Sequence, residues 1–223
     1  MDYKDRLTSI QNRIAQACGR SGRRPEEVTV VAVTKYIGIQ ETRALLATGI
    51  QDLGENRIQV ALPKVKEIKD SARWHFIGSL QTNKVKDVLP HFHLIHSLDR
   101  LSLAKEMQKQ AEKLDCTASC LIQVNISGEQ TKSGLAPDEV PSFLKEIAGM
   151  DRVQVQGLMT MAPITDDPEE ARPVFRGLRE LRDQLRPEYP DISHLSMGMS
   201  GDFEVAVEEG ATLVRLGSVL VKP

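Results

Sequence analysis

The first residue in this sequence that implies chemistry is a lysine that ends an unbroken apolar run. In VTVVAVTKY at 28–36, Val, Thr and Ala follow one another without a charge until Lys35. That is the pattern of a strand buried on both faces, as in a parallel sheet covered by helices. At the C-terminal end of such a strand the amine would stand where a parallel α/β barrel gathers its reactive groups. Apolar walls there would lower its pKa and make more of it nucleophilic at neutral pH, which is the setting of a Schiff-base lysine. The plainer alternative is a lysine that leaves the strand for solvent, as most do.

A second set of candidates lies near the other end of the chain. SMGMSGDFEVAVEEG at 196–210 puts Gly198, Ser200 and Gly201 just ahead of a helix, and a glycine-rich turn at a helix N-terminus can hold a phosphate on backbone N–H groups. The last strand ends in Gly217–Ser218, and barrels place phosphate sites after strands seven and eight. Ordinary loop glycines and an N-cap Ser200 would leave the same letters. An amine after strand one and a phosphate cradle after strands seven and eight become neighbours when a barrel closes. Together they suit a phosphorylated aldehyde, and pyridoxal 5'-phosphate is the common cofactor of that shape.

Arg215 lies inside the last strand, where a cation is costly to bury without a partner. In one reading it donates to the pyridine nitrogen. An arginine does not give up its proton, so the ring nitrogen would stay unprotonated and the ring would draw electrons weakly. In the other reading it pairs with Glu208 or Glu209. Asn56 could bond the ring hydroxyl or cap the helix it precedes. His75 and His194 sit in strand-like runs, where core histidines satisfied by a neighbour are common. Met159, Met161, Met197 and Met199 would line either the barrel mouth or the core. Lys84 and Lys132 rank below Lys35 as amines, because neither ends an apolar strand.

The elements that must position these residues alternate regularly. A helix at 2–18 closing at Gly19 precedes strands at 28–36, 50–56, 74–78, 92–98, 119–126, 153–161, 192–197 and 212–218. Helices are expected between them at 40–48, 57–70, 82–89, 100–114, 138–148, 168–186 and 202–210, with Pro63 interrupting an early turn of the second. Eight such alternations imply a closed parallel barrel or a doubly wound sheet. The barrel is preferred, because YIGIQE after the first strand is not a dinucleotide-binding turn. Only five residues follow Ser218, so the helix at 2–18 should cover the eighth sector. The expectation is one α/β domain over 1–223, a (β/α)8 TIM-type barrel with an extra N-terminal helix.

Composition excludes several classes. A chain of 223 residues with a net charge of −2 suits one large globular domain and argues against nucleic acid or a membrane surface held by charge. The charged N-terminal stretch shows neither a secretion signal nor a spanning segment, which implies a cytoplasmic protein. Cys18, Cys116 and Cys120 match no metal spacing and read as reduced structural thiols.

Several segments in order also resemble one family. VAVTK at 31–35, GENRIQ at 54–59, WHFIGSLQTNK at 74–84, VNISGEQTKSG at 124–134, GLMTMAP at 157–163, SMGMSGDFEVAV at 196–207 and VRLG at 214–217 are similar to the pyridoxal phosphate homeostasis proteins, single-domain relatives of the alanine racemase barrel. The resemblance implies that Lys35 carries pyridoxal phosphate covalently, that Ser200, Gly201, Gly217 and Ser218 hold its phosphate beside Met199, and that Arg215 meets the ring nitrogen. Asn56 matches the asparagine of the GEN segment. The VLVKP ending departs from the family's usual aromatic–glycine finish. The resemblance further implies a carrier or buffer of vitamin B6 with no established catalytic turnover; cofactor-requiring apo-enzymes are the expected partners, and a monomer or weak dimer the expected state. A racemase is the alternative, with His75, His194 or a partner's side chain as second base; a cofactor-free aldolase is a third. Racemisation needs an acid/base group on each face of the substrate carbon. In the racemases the second comes from an added β domain, and this chain is expected to end before one could begin.

Overall fold

Strands apolar on both faces have to be covered inside and out, and a closed ring with helices around it does both. The computed structural model describes residues 2–129 and 132–221. Gln130 and Thr131 of the VNISGEQTKSG segment, and 222–223 of the VLVKP ending, lie outside the described residues.

β1 (Thr29–Val33), β2 (Asp52–Glu55), β3 (Arg73–Phe76), β4 (Leu94–Leu98), β5 (Ala118–Gln123), β6 (Val153–Met159), β7 (His194–Ser196) and β8 (Leu213–Leu216) pair in sequence order. All pairings are parallel, and β8 returns to β1 with Thr29 beside Leu213 and Ala32 beside Leu216, which closes the barrel. α1 (Tyr3–Ser21) precedes the ring. The outer layer follows with α2 (Ile39–Leu46), α3 (Ile58–Ile68), α4 (Val85–Val88), α5 (Leu101–Leu114), α6 (Val140–Ile147), α7 (Arg172–Leu185), α8 (Phe203–Glu208) and α9 (Ser218–Val221). The expected (β/α)8 barrel with an added N-terminal helix is the fold observed.

Helical spacing decides how that layer docks. α7 buries Val174, Phe175, Leu178, Leu181 and Leu185 along one face, each contributing roughly 1.5–3 kcal/mol of transfer free energy. α1 buries Leu7, Ile10, Ile14, Ala17 and Cys18 and packs on α8 and α9, with Arg6 Nη1 donating to the Leu220 carbonyl at 3.3 Å. It therefore covers the eighth sector beside the four-residue α9.

Several boundaries differ from the sequence reading, three of them at residues named above. α1 runs through Gly19 and stops at Ser21, because Gly22 at φ 68° supplies the left-handed cap. α3 continues through Pro63 without interruption; burial of Ala61, Val65 and Ile68 offsets the hydrogen bond the proline cannot make. β1 ends at Val33, so Lys35 stands two residues past the strand, in a turn.

Inside the ring, Val31, Leu94, Leu121, Met159 and Leu213 form an apolar cluster separate from the larger core between strands and helices. Ring closure is tight beside β7, where a Cβ at Gly157 would fall 2.1 Å from the His194 carbonyl oxygen. Gly157→Ala should therefore destabilise the protein by about 3 kcal/mol or more. Gly149→Ala, which meets no atom within 4 Å, should stay within about 1 kcal/mol of the parent. Urea denaturation of the two variants checks both.

Candidate functional site

The C-terminal rim holds a cavity of about 560 Å³. Lys35, Asn56 and Arg215 line it, as do Met199, Ser200 and Gly201 from the loop after β7 and Gly217 and Ser218 from the end of β8. All eight residues singled out in the sequence thus face one space. Tyr36, Ser79 and Met161 share it.

Lys35 is half-buried, and its Nζ lies 4.9 Å from the centroid of the Tyr36 ring. The turn carrying it is anchored by a buried charge pair. Lys64 Nζ from α3 donates to Glu55 Oε1 at 2.7 Å and to the Thr34 carbonyl at 2.6 Å, while the Thr34 hydroxyl donates to the same Glu55 oxygen at 2.7 Å. The Glu55 and Lys64 side chains are 0 % and 6 % exposed, so the bridge is buried where it holds the residue just before Lys35.

Asn56 follows β2 and does not cap α3, whose N-cap is Arg57 with no side-chain bond. Its backbone lies against Gly78, where a Cβ would come within 2.3 Å of the Asn56 carbonyl; a glycine there lets the two strand ends converge. The loops after β7 and β8 are tied by Ser200, whose hydroxyl oxygen accepts from the N–H groups of Gly217 and Val219 at 3.2 and 3.3 Å. The start of α8 is less open than the sequence implies. Asp202 Oδ1 accepts the Met199 N–H at 2.6 Å, and burial holds the Asp202 carboxyl above its ordinary pKa. The methionines divide: Met161 and Met199 line the cavity, whereas Met159 and Met197 are core.

Arg215 is 5 % exposed and fixed by two donations, Nη1 to Ser196 Oγ at 2.6 Å and Nη2 to the Thr160 carbonyl at 2.9 Å. Among the described residues no carboxylate pairs with it. Glu208 is held by Arg20 and Arg172, and Glu209 by Arg172, Arg176 and Arg179, so the surface-pair alternative does not apply. Burial lowers the Arg215 pKa to about 10, which leaves it a cation at neutral pH.

The weaker candidates sit elsewhere. His75 is buried between Asp52 and His96, and His194 Nδ1 faces Thr212 Oγ1 at 3.3 Å beside a different cavity, at the N-terminal ends of the strands. Lys84 pairs with Asp87 and Lys132 with Glu129. A larger cavity of about 660 Å³ opens at the N-terminal rim near α1, but its charged pair there, Asp52 and Arg73, is mutually satisfied and among the described residues its lining includes no lysine, cysteine or serine. Lys64 and His96 were not singled out in the sequence. A histidine amid the apolar letters of FHLIHSL was the available signal for His96; nothing local marks Lys64.

The family model described as alanine racemase, N-terminal domain, matches residues 6–223. An alanine racemase structure from Clostridium difficile 630 superposes with a TM-score of 0.75 at 15 % identity, covering 97 % of this chain and 55 % of that one, a likeness of fold. Over 222 residues the chain is 46 % identical to the pyridoxal phosphate homeostasis protein of Aquifex aeolicus, spanning 99 % of this chain and 97 % of the relative. A structure of PipY from Synechococcus elongatus PCC7942 with PLP bound matches at TM-score 0.85 and 32 % identity, covering 98 % and 99 % of the two chains. The chain belongs to the alanine racemase N-terminal domain family and, within it, to the pyridoxal phosphate homeostasis proteins.

Two outcomes follow from the buried charges. Lys64→Met leaves Glu55 uncompensated and should cost roughly 3–5 kcal/mol, most of it regained by adding Glu55→Leu; chemical denaturation of the single and double variants measures this. Burial also holds the imidazoles of His93, His96 and His194 below their ordinary pKa. In acid the unfolded chain therefore takes up protons that the native protein refuses. Stability should be full above about pH 6.5 and fall below it by up to about 1.4 kcal/mol per pH unit for each neutral histidine, as thermal melts from pH 7.5 to 5 would record.

Proposed function

We propose that this protein holds pyridoxal 5'-phosphate through Lys35 and releases it, without turning over a substrate. The observation that carries the reading is the meeting, in one cavity, of a half-buried amine, a buried arginine with N–H groups to spare, and two loops tied by a hydroxyl. The Ser200 oxygen already accepts two backbone N–H bonds, as a phosphate oxygen would, so the residues present fit the group. When bound, the cofactor supplies an aldehyde that a primary amine captures reversibly.

Each side chain then has one task. Lys35 provides the amine, and the Glu55–Lys64 pair fixes the turn from which it projects. Ser200, Gly201, Gly217 and Ser218 receive the phosphate, with Met199 and Asn56 closing the walls. Arg215 keeps its protons and donates to the ring nitrogen, which weakens the ring as an electron sink. Turnover is disfavoured for a second reason: neither His75 nor His194, the candidate second bases of a racemase, is among the groups lining the cavity. The names of the relatives accord with a carrier. Among the described residues no helix is long and apolar enough to cross a membrane. The reading carries with it a cytoplasmic location and apo-enzymes that use the cofactor as recipients.

Purified protein incubated with pyridoxal 5'-phosphate should turn yellow, and borohydride should fix the label on the peptide containing Lys35. Lys35→Ala should stay colourless, and no amino acid should exchange its α-hydrogen in deuterated buffer. A label on another peptide or on none overturns the assignment of Lys35. Rapid exchange would make the protein a racemase.

A further inference from the structure

A chain of hydrogen bonds crosses the inside of the barrel from the N-terminal rim to Arg215. Arg73 Nε and Nη2 donate to Asp52 Oδ1 and Oδ2 at 2.9 and 2.6 Å. Asp52 Oδ1 faces His75 Nε2 at 2.9 Å, His75 Nδ1 faces His96 Nε2 at 3.0 Å, and His96 Nδ1 faces Ser196 Oγ at 2.8 Å. Arg215 Nη1 donates to that same Oγ at 2.6 Å. The contact between His96 on β4 and Ser196 on β7 joins strands that are not neighbours in the ring, so the chain runs through the interior. From Asp52 to Arg215 every member is buried.

The two ends dictate where each proton sits. Burial opposes ionisation of Asp52, but the hydrogen bonds from His75 and Arg73 outweigh it and hold its pKa at about 2, so Asp52 only accepts. His75 Nε2 must then carry hydrogen, and with a single hydrogen on that ring Nδ1 accepts from His96 Nε2–H. His96 Nδ1 in turn accepts from the Ser196 hydroxyl, whose oxygen accepts from Arg215, a group that only donates. With a single hydrogen on each ring, one arrangement satisfies all the bonds, and every donor points from Arg215 toward Asp52.

The surroundings of His96 reinforce it: burial first, then the facing His75, Arg215 and His194, all oppose a proton there. His75 is faced by Asp52, His93, His96 and His194. A proton on His96 would set an imidazolium against the guanidinium across one hydroxyl.

We propose that Asp52, His75, His96 and Ser196 are positioning residues for Arg215: a proton-ordered chain that holds the guanidinium in one orientation toward the Lys35 cavity and transmits to it the state of a carboxylate at the opposite rim. The consequence for cofactor affinity rests on the function proposed above; the ordering of the protons does not.

Long-range 15N–1H NMR of apo-protein labelled at histidine reads the order directly. Both His75 and His96 should carry hydrogen on Nε2 and leave Nδ1 bare. In Asp52→Asn one of the two oxygens becomes an NH2 donor; with the remaining oxygen taken by Arg73 Nη2, that donor meets His75 Nε2, a change that imposes the other tautomer on a histidine. Both rings should reverse to Nδ1–H, including His96, which the substituted side chain does not touch. In loaded protein, Ser196→Ala and Asp52→Asn should weaken cofactor binding roughly tenfold to a hundredfold and shift the pH at which the bound cofactor's absorption changes. His93→Gln, outside the chain, should do neither.

The proposal is overturned if either wild-type ring is Nδ1–H or a mixture, if the reversal stops at His75, or if Ser196→Ala leaves affinity and spectrum unchanged. Should Asp52→Asn not fold, the wild-type tautomers and Ser196→Ala decide. Wild-type protein that binds no pyridoxal 5'-phosphate sinks the proposed function instead, while the tautomers still decide the chain.

Discussion

A guanidinium buried in a barrel without a carboxylate against it is the constraint to which much of this structure answers. Taking such a cation out of water costs several kcal/mol unless its protons are met. Arg215 meets the cost with the Ser196 hydroxyl and the Thr160 carbonyl, with Asp202 acting on it at longer range. Ser196 ends β7, the strand beside β8, and Thr160 follows β6, one strand further round, so orienting both requires β6, β7 and β8 to pair in register. Position of the cation and register of these strands are therefore one problem.

The same economy appears on the other side of the cavity. Lys64 and Glu55 put a full charge pair into the layer between β2 and α3, where two apolar side chains would be at least as stable. The pair instead specifies geometry, since it also engages both the hydroxyl and the carbonyl of Thr34. A lysine that projects from a turn has many rotamers and no strand to restrain its backbone. Pinning the residue before it removes part of that freedom. The amine and the arginine are thus each backed by buried polar groups, so the cavity is organised by what lies behind its walls.

What could be read from the letters was whatever broke a local pattern. Lys35 ended an apolar run, Arg215 interrupted another, and Gly198, Ser200, Gly201, Gly217 and Ser218 were turn residues where strands stop; alternation narrowed the fold to a barrel or a doubly wound sheet, and the missing dinucleotide-binding turn after the first strand chose the barrel. Boundaries were less visible. Gly19 looked like a helix stop because the left-handed cap at Gly22 is a backbone property, and Pro63 looked like a break because burial on both sides of it is tertiary. Lys64 was hidden for a different reason. In PKVKEIK it resembles any solvated helix face, and only the arrival of Glu55 from β2 makes it interior. His96 needed the register of β3 against β4 before its ring could be placed beside His75.

The pairing of β1 with β8, and of α1 with α9, joins the earliest part of the chain to the latest. Contacts of that sequence separation are slow to form, and until they form the strands at the seam present unpaired N–H and C=O groups. During synthesis the half-built ring is an open sheet with two adhesive borders, waiting for a segment still inside the ribosome. A nascent or truncated chain lacking β8 would thus be prone to recruit a strand from another molecule, and its failure would appear as aggregation before any loss of helix content.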